Sequence, residues 1–219
     1  MKRSDLFRYL LWGAVAWTAD ANRRHYHMQT TWLPHLLTNT ASLLLPDAVR
    51  LLLPRKRARN EVEEVLIKVV RDNDDYVAYV TPLAVGYLLS HPRFNIYKGA
   101  WADLKVAGFG LDAIPHSLTA LALTALVTDS LEVAADVNDD PTWFGRLLDW
   151  CGRHAGLFSL GVLAALTFIW EYGEYRIHNL EMAERGDVAQ INMQWSAKDT
   201  QQDILANLLG WALAILLRR

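Results

Sequence analysis

The feature that most constrains this chain is the separation of long apolar runs from the charged residues between them. The clearest run covers residues 106–128 and is interrupted only by Asp112 and His116. A second apolar run covers residues 156–175 and reaches Glu171 near its end. A helix that crosses a bilayer needs roughly 20 mostly apolar residues. These two runs therefore predict membrane-spanning helices.

Other segments predict further crossings. Residues 76–89 and 204–217 are apolar but short, and the second reaches spanning length if its helix starts near Lys198. Residues 6–18 are typical either of a retained first helix or of a secretory signal followed by small residues. Residues 32–53 contain two prolines and predict either one crossing or two pieces at the interface. The chain is thus expected to be all-α, a polytopic bundle of about 4–6 spanning helices.

The alternative is a soluble α-helical protein, whose buried helices can carry apolar runs of about 14 residues. Nine tryptophans favour the membrane, because indole rings prefer the level of the lipid headgroups and several lie near proposed helix ends. A net charge of −2 offers no basic face for nucleic acid. Membrane lipid is therefore an expected partner and nucleic acid is not, while a homo-oligomer stays open.

Basic residues set the orientation and divide the chain. The run RKRAR at residues 55–59 is the densest basic segment near a predicted membrane edge, which places it in the cytoplasm. Residues 61–72 predict an amphipathic helix, lying either on the inner membrane face or on the underside of the protein itself. The acidic stretch 129–140 predicts a solvated cytoplasmic loop. The C-terminus is then expected in the cytoplasm, beneath a bacterial-type inner membrane.

This division gives three expected parts. They are N-terminal membrane-associated helices at 1–54, a basic cytoplasmic amphipathic segment at 55–75, and a membrane core of about four helices at 76–219.

Three sets of polar residues lie on single faces of the predicted helices, because their members are three or four residues apart. They are Asp112 and His116; Glu171, Glu174 and His178; and Asp199, Asp203 and Asn207. The sets lie early, late and early in consecutive antiparallel helices. All three are therefore expected at the same end of the bundle, the extracytoplasmic one.

The chemistry of these sets predicts a bound cation or bound protons. Carboxylates crowded in a low dielectric cannot all ionise without counter-charge. Oxygen ligands with one or two imidazoles suit Mn, Fe, Zn or Mg. The predicted ligands of a divalent metal ion are Asp112, His116, Glu171, Glu174, Asp199 and Asp203. Among them, His116 and Glu171 are the candidates for a catalytic, acid–base or ligand role, and His178 and Asn207 are the other members of the polar pocket.

Each set also has a plainer interpretation. Asp112 and Asp199 are placed where residues that cap helices occur. Glu171 and Glu174 can mark the aqueous end of their helix, with His178 in solvent.

Three motifs in this order resemble a known family. GLDAIPHSLTALAL at 110–123 resembles the D-x-x-x-H helix of YjdF-like bacterial inner-membrane proteins, and WEYGEY at 170–175 resembles their glutamate-bearing helix. The D-T-Q-x-D segment at 199–203 is similar to their closing segment and to that of VanZ-like proteins. The resemblance covers residues 105–219.

The resemblance implies a small helical bundle in the inner membrane, with no established biochemical activity. It also implies that the six predicted ligands match the family's polar positions. Two features depart from the family pattern: Gly186-Asp187 lies further from Asp199, and the N-terminal half matches nothing in it.

The leading functional hypothesis is a membrane-embedded enzyme or binding protein. Its pocket would hold a metal ion and act on a lipid or envelope-precursor headgroup. The alternatives are a proton-coupled transporter, in which the carboxylates relay protons, and a structural subunit in which they pair to hold helices together. The sequence has neither a P-loop nor a glycine-rich nucleotide fingerprint after a strand.

Overall fold

The regular structure of this protein is helical apart from one two-stranded hairpin. The computed structural model describes residues 2–27, 29–54, 58–106, 108–191 and 193–218. The helices are α1 (Arg3–Tyr26), α2 (Gln29–Leu52), α3 (Glu61–Val65), α4 (Tyr76–Leu88), α5 (Ala113–Asp136), α6 (Trp143–Arg153), α7 (Ala155–Arg185) and α8 (Ala197–Leu217). A π-helical segment, Leu66–Arg71, continues α3, and 3-10 turns form at Gly99–Trp101 and Val188–Gln190. The hairpin pairs β1 (Lys105–Val106) with β2 (Phe109–Gly110). The all-α prediction is confirmed.

The first long helices alternate in direction. The start of α1 meets the end of α2, where the Arg8 guanidinium lies 3.0 Å from the Asp47 carboxylate. The end of α1 meets the region just after α4, where Asn22 donates a hydrogen bond to the Ser90 hydroxyl at 3.1 Å. Helices α1 and α4 are therefore parallel to one another and antiparallel to α2.

Helices α5 and α8 are parallel and pack very closely. A Cβ added at Gly210 of α8 would overlap the carbonyl oxygen of Ser117 in α5 and lie 2.9 Å from Cβ of Ala120. At the far ends of the same helices, Arg218 binds Asp129 and Glu132. Glycine is needed at position 210 because no side chain fits between the two backbones.

Helix α7 runs antiparallel to α8. Trp211, near the end of α8, donates from its indole nitrogen to the carbonyl oxygen of Gly156 at the start of α7, at 3.0 Å. Asn207, one turn earlier in α8, donates to the hydroxyl of Thr167 at 3.0 Å. The early part of α8 therefore lies beside the later part of α7.

Helix α2 is continuous through both of its prolines, so the alternative of two separate pieces is wrong. Pro46 has no N–H to donate to the carbonyl of Ser42, four residues back. The Tyr76 hydroxyl of α4 donates to that carbonyl oxygen at 2.8 Å instead. A neighbouring helix thus supplies the hydrogen bond that proline removes, as membrane helices commonly require.

Arg8, which interrupts the first apolar run, is buried with acidic partners. Its guanidinium lies 2.8 Å from Asp5 and 3.0 Å from Asp47, and that of Arg50 lies 3.1 Å from each of the same carboxylates. Two positive and two negative charges offset one another, which is how a buried arginine is tolerated. The segment 6–18 is thereby part of α1 and packed against α2.

The amphipathic segment after the basic run packs on the protein itself. Residues 55–57 of that run lie outside the described residues. In the π-helical continuation of α3, Ile67, Val69 and Val70 are buried, and Val70 joins a core cluster with residues of α1, α2 and α4. The prediction of a helix at 61–72 agrees with α3 and its continuation. Of its two alternatives, the structure shows packing on the protein's own underside.

Helix boundaries in the second half differ from the sequence predictions. The apolar run 106–128 is not helical from its start, because Gly108 adopts φ 89 and turns the hairpin before α5 begins. Helix α5 continues to Asp136, so the prediction of a solvated loop from residue 129 is wrong over that stretch. Asp129 binds Tyr79 and Arg218 there.

Within the described residues, two helices are long and apolar enough to cross a membrane by length and composition, α5 and α7. This is fewer than the four to six expected. Helix α4 is apolar but has 13 residues. The charged residues of α1 lie near its two ends, and those of α8 lie in its first two turns. Only 28% and 22% of the apolar windows of α5 and α7 are buried in the protein. A core helix of a soluble protein buries most of its apolar residues.

The close packing of α8 on α5 gives a direct test. Replacing Gly210 by alanine forces the two backbones apart, and we expect a loss of about 1–3 kcal/mol of stability from overpacking. Thermal unfolding of the detergent-purified protein measures the loss. The control is Gly161→Ala on α7, where an added Cβ meets no heavy atom within 4 Å. Equal melting temperatures for the two variants would contradict the packing described.

Candidate functional site

The packing of α5, α7 and α8 brings the predicted polar sets to one end of the bundle. Asp112 and His116 lie at the start of α5, and Asp199 and Asp203 lie in the first turns of the parallel helix α8. The later part of the antiparallel helix α7 carries the two glutamates. We refer to Asp112, His116, Glu171, Glu174, Asp199 and Asp203 as the carboxylate cluster.

His116 and Asp203 form the contact at the centre of the cluster. Nε2 of the imidazole lies 3.4 Å from Oδ1 of the carboxylate. The Asp203 side chain is 6% exposed and that of His116 is 22% exposed. Gly210 lies two turns further along α8 and Ser117 follows His116 directly, so the close packing at Gly210 sets the register that places the two side chains opposite each other.

Glu171 is held by a residue that the sequence did not single out. The hydroxyl of Thr200 on α8 donates to Oε2 of Glu171 at 2.5 Å, and Glu171 is buried. Thr200 lies between the two aspartates of α8, three residues before Asp203. That spacing places the two on one helix face and is the signal by which Thr200 could have been found.

Glu174 accepts a hydrogen bond from a tryptophan of its own helix, and that tryptophan begins a chain of aromatic contacts. The indole N–H of Trp170 donates to Oε1 of Glu174 at 2.8 Å. The Trp170 ring meets the ring of His35 on α2 edge-on, with centroids 5.2 Å apart. His35 in turn stacks on Tyr87 of α4 at 4.9 Å. These contacts join the cluster to the first half of the bundle.

The capping interpretation holds for one aspartate and is wrong for the other. Oδ1 of Asp112 accepts the backbone N–H of Ala113 at 3.0 Å and caps α5. On α8 the cap is Ser196, whose hydroxyl oxygen accepts the N–H of Asp199 at 3.1 Å. Asp199 therefore lies inside the first turn, where a negative charge faces the positive end of the helix dipole.

The carboxylates of the cluster are close enough to act on one another electrostatically. Asp203 experiences the charges of Asp112, Glu171, Glu174 and Asp199. In the part of the chain that the structure describes, no lysine or arginine forms an ion pair with any of them. Such a group of acids needs protons or a cation to be stable away from water.

A buried tyrosine from the loop between α4 and β1 lies beside the cluster. Burial, together with the charges of Asp112, Glu174 and Asp203, raises the pKa of the Tyr97 phenol. Its hydroxyl donates to the carbonyl oxygen of Gly86 at 3.0 Å. The phenol therefore remains protonated and adds no negative charge to the cluster. Tyr97 lies in a loop without periodicity, so the sequence carried no signal for it.

His178 and Asn207 form their hydrogen bonds with residues outside the cluster. Nδ1 of His178 donates to the carbonyl oxygen of Met193 at 3.2 Å. The backbone N–H of Met193 donates to the buried carboxylate of Glu181 at 2.9 Å. These two side chains hold the loop that leads into α8. Asn207 bridges α8 to α7 one turn deeper than Asp203. Among the described residues, neither side chain hydrogen-bonds to a member of the carboxylate cluster, and their place in the polar pocket stays a prediction.

The arrangement is a convergence of acids and not a preformed coordination shell. Over the described ranges, no three side chains of histidine, cysteine, aspartate or glutamate are disposed to hold a metal ion. Glu171 and Asp112 each accept a hydrogen bond within the protein. Binding of a metal ion would have to draw carboxylates from these partners by rotation of their side chains.

Comparison with models of known families, with curated proteins and with solved structures gives no match for this chain. The resemblance to YjdF-like and VanZ-like proteins therefore depends on the three motifs alone and stays a prediction.

The contact between His116 and Asp203 can be measured with a double-mutant cycle. Because His116→Ala leaves Asp203 buried without its partner, we expect the double variant with Asp203→Asn to lose less stability than the sum of the single variants. Residues in contact commonly couple by about 0.5–3 kcal/mol. Chemical unfolding in detergent gives the four free energies. As a control, His116→Ala should combine additively with Asp139→Asn, since Asp139 is exposed in the loop beyond α5.

Proposed function

We propose that this protein is a polytopic inner-membrane protein whose carboxylate cluster binds a divalent cation at the extracytoplasmic side. Through that cation it would bind or act on a phosphate-bearing headgroup of a lipid or envelope precursor. The observation that carries the proposal is the group of five carboxylates at one end of three helices, with one imidazole and no lysine or arginine paired to them among the described residues.

Membrane embedding is supported by apolar side chains that the protein leaves uncovered. Large hydrophobic residues are exposed along the outer faces of the helices that carry the cluster. They include Ile114 and Leu118 on α5, Leu157, Leu166, Phe168 and Ile169 on α7, and Leu205, Leu209 and Leu216 on α8. Apolar surface of this extent on a soluble monomer would be an aggregation hazard. In a bilayer the same side chains face lipid tails.

The orientation follows from the end of the bundle that is opposite the cluster. Lys2 and Arg218 lie there, together with α3, whose continuation is tied to the end of α2 by a hydrogen bond from Arg71 to the carbonyl oxygen of Leu53 at 2.7 Å. The basic run directly precedes α3 in the sequence. If that run is cytoplasmic under the positive-inside rule, both ends of the chain are cytoplasmic and the cluster is extracytoplasmic.

The choice of a divalent cation follows from the donor set. Carboxylate oxygens with a single imidazole suit Mg, Mn, Fe or Zn better than soft metals. Asp203, His116 and Glu171 are the residues that would hold the ion, because Asp203 and Glu171 are the buried carboxylates of the cluster and His116 contacts Asp203. A bound divalent ion supplies Lewis-acid polarisation of a phosphoryl oxygen or an activated water.

Access for a lipid headgroup is supported by the hairpin beside the cluster. Gln202 on α8 donates to the carbonyl oxygen of Gly108 in its turn at 3.2 Å, which fixes the hairpin at the edge of the cluster. Around that turn the side chains of Leu104, Val106 and Phe109 are exposed. Apolar side chains at this level would contact the lipid of the outer leaflet, so a headgroup can reach the acids from the side.

Metal content is the experiment that tests the cation proposal. We expect protein purified in detergent to carry near-stoichiometric divalent metal by elemental analysis, and the folded variant Glu171→Gln, Asp203→Asn to lose it. The matched control is Glu132→Gln, Asp136→Asn, which removes two exposed carboxylates at the opposite end of α5 and should keep the metal. Titration of metal-free protein with Mn²⁺, followed by the EPR signal of the free ion, gives the affinity.

The proposal of a metal site fails if the parent protein binds no divalent ion, or if the cluster variant retains as much as the control. In that event, a cluster variant that unfolds more easily indicates structural pairing of the helices. A cluster variant as stable as the parent leaves protonated carboxylates as the explanation.

Embedding in the membrane is tested separately. We expect the protein to stay in the membrane pellet after extraction with alkaline carbonate and to be released only by detergent, because its lipid-facing side chains lose favourable burial in water. Recovery in the carbonate supernatant would contradict embedding. A known peripheral protein and a known polytopic protein of the same membrane serve as controls.

A further inference from the structure

Helix α6 combines an exposed aromatic face with a buried glycine face. Trp143, Leu147 and Trp150 are four and three residues apart and so lie on one side of the helix, where all three are exposed, Trp143 to 69%. Phe144 extends this face and is also exposed. The Trp150 ring stacks on that of His154 at 4.8 Å and the Trp143 ring meets that of Phe144 edge-on, yet all four apolar side chains of this face remain exposed.

The opposite side of α6 is built for close contact with the end of α5. Gly152 is nine residues after Trp143, which at about 100° per residue places it roughly 180° away. A Cβ there would overlap Cβ of Ala135 on α5 and lie 3.3 Å from the carbonyl oxygen of Leu131. Gly145, on the same side as Gly152, has no room for a Cβ next to the carbonyl of Asp140. The two glycines fix α6 so that its aromatic face points outward.

The dimensions of α6 suit a membrane interface and exclude a crossing. Its 11 residues extend about 16 Å, roughly half the thickness of the hydrocarbon core. It connects the end of α5 to the start of α7, the two helices that are long and apolar enough to span. Leu157 and Phe158 in the first turn of α7 are exposed and continue the apolar surface.

The two arginines of α6 are exposed, and Arg146 also donates a hydrogen bond to the carbonyl oxygen of Pro141 at 2.8 Å. Arg146 and Arg153 are seven residues apart and form one border of the aromatic face. The acidic residue of the helix, Asp149, accepts a hydrogen bond from Asn138 at 2.6 Å and is turned toward the preceding loop. Tryptophan rings and arginines at the edge of an apolar face are typical of helices that lie in the headgroup layer.

We infer that α6 is an interfacial anchor, lying in the headgroup layer of the leaflet opposite the carboxylate cluster and binding anionic lipid through Arg146 and Arg153. This inference rests on the membrane embedding in the proposed function and goes beyond it by assigning a lipid-binding surface. The anchor holds the ends of α5 and α7 at a fixed depth in the bilayer.

The test measures the depth of α6 with nitroxide labels in vesicles of phosphatidylcholine and phosphatidylglycerol. The single native cysteine, Cys151, is buried and is replaced by alanine, or by serine if the alanine variant does not fold. Labels are then placed one at a time by Leu147→Cys on α6, Asp139→Cys in the preceding loop and Leu166→Cys in the middle of α7. The ratio of collisions with oxygen to collisions with a water-soluble nickel chelate reports depth.

We expect the ratio at position 147 to exceed that at 139 several-fold and to stay below that at 166. An equal ratio at 147 and 139, with a high ratio at 166, overturns the inference and leaves membrane embedding intact. A water-like ratio at 166 as well overturns embedding itself. Low collision rates with both reagents at 147, together with dipolar broadening between labels, show that a second copy of the chain covers the face and also overturn the inference.

The role of anionic lipid is tested with the same label at position 147. Omitting phosphatidylglycerol from the vesicles, or adding Arg146→Gln and Arg153→Gln, should lower the oxygen-to-nickel ratio. An unchanged ratio in both experiments contradicts the charge contribution. Arg93→Gln, which alters an arginine in the loop after α4, is the matched control and should leave the ratio at 147 unaffected.

Discussion

The close approach of α8 to α5 at Gly210 is the contact on which the candidate site depends. Without a side chain at that position, the backbones meet near Ser117 and Ala120. The parallel register that results places Asp203 against His116 at one end and Arg218 against Asp129 and Glu132 at the other. A larger residue would separate the helices and move the acids of α8 away from those of α5. Small residues at helix contacts serve this purpose widely in membrane proteins.

The two ends of the bundle differ in how their buried charges are balanced. At the end opposite the cluster, Asp5 and Asp47 are matched by Arg8 and Arg50, so charge is balanced within the protein. At the cluster end, the described residues supply a single imidazole against five carboxylates. In a purely structural network, positive and negative charges are expected to balance, because an unpaired buried charge is strongly destabilising. The excess of carboxylates over positive groups at the cluster is therefore the feature that favours a bound cation there.

The candidate site and the membrane surface of the protein are linked through the same helices. Helices α5, α7 and α8 each carry acids on the face turned inward and large apolar side chains on the face turned outward. The hairpin extends this apolar surface at the cluster end of the three helices, and helix α6 extends it at the opposite end.

The sequence by itself determined the helical class, the extent of α8 and the helix faces on which the acids lie, because apolar periodicity and a spacing of three or four residues are local properties. It also predicted that three sets of acids would meet at one end, since consecutive spanning helices alternate in direction. It did not predict α6, whose 11 residues are too short and too mixed for a spanning pattern. The capping alternative for Asp199 failed because Ser196 competes for the same helix start.

Only the tertiary structure decided which polar residues touch. Thr200 and Trp170 became partners of the glutamates, Tyr97 came to lie beside the cluster, and His178 turned to the loop before α8. These contacts depend on the register between helices and on loops that are distant in sequence but pack against those helices. Register is set by contacts such as Gly210 against Ser117, between residues far apart in sequence. The spacing of residues along one helix carries no information about its rotation or depth relative to the next.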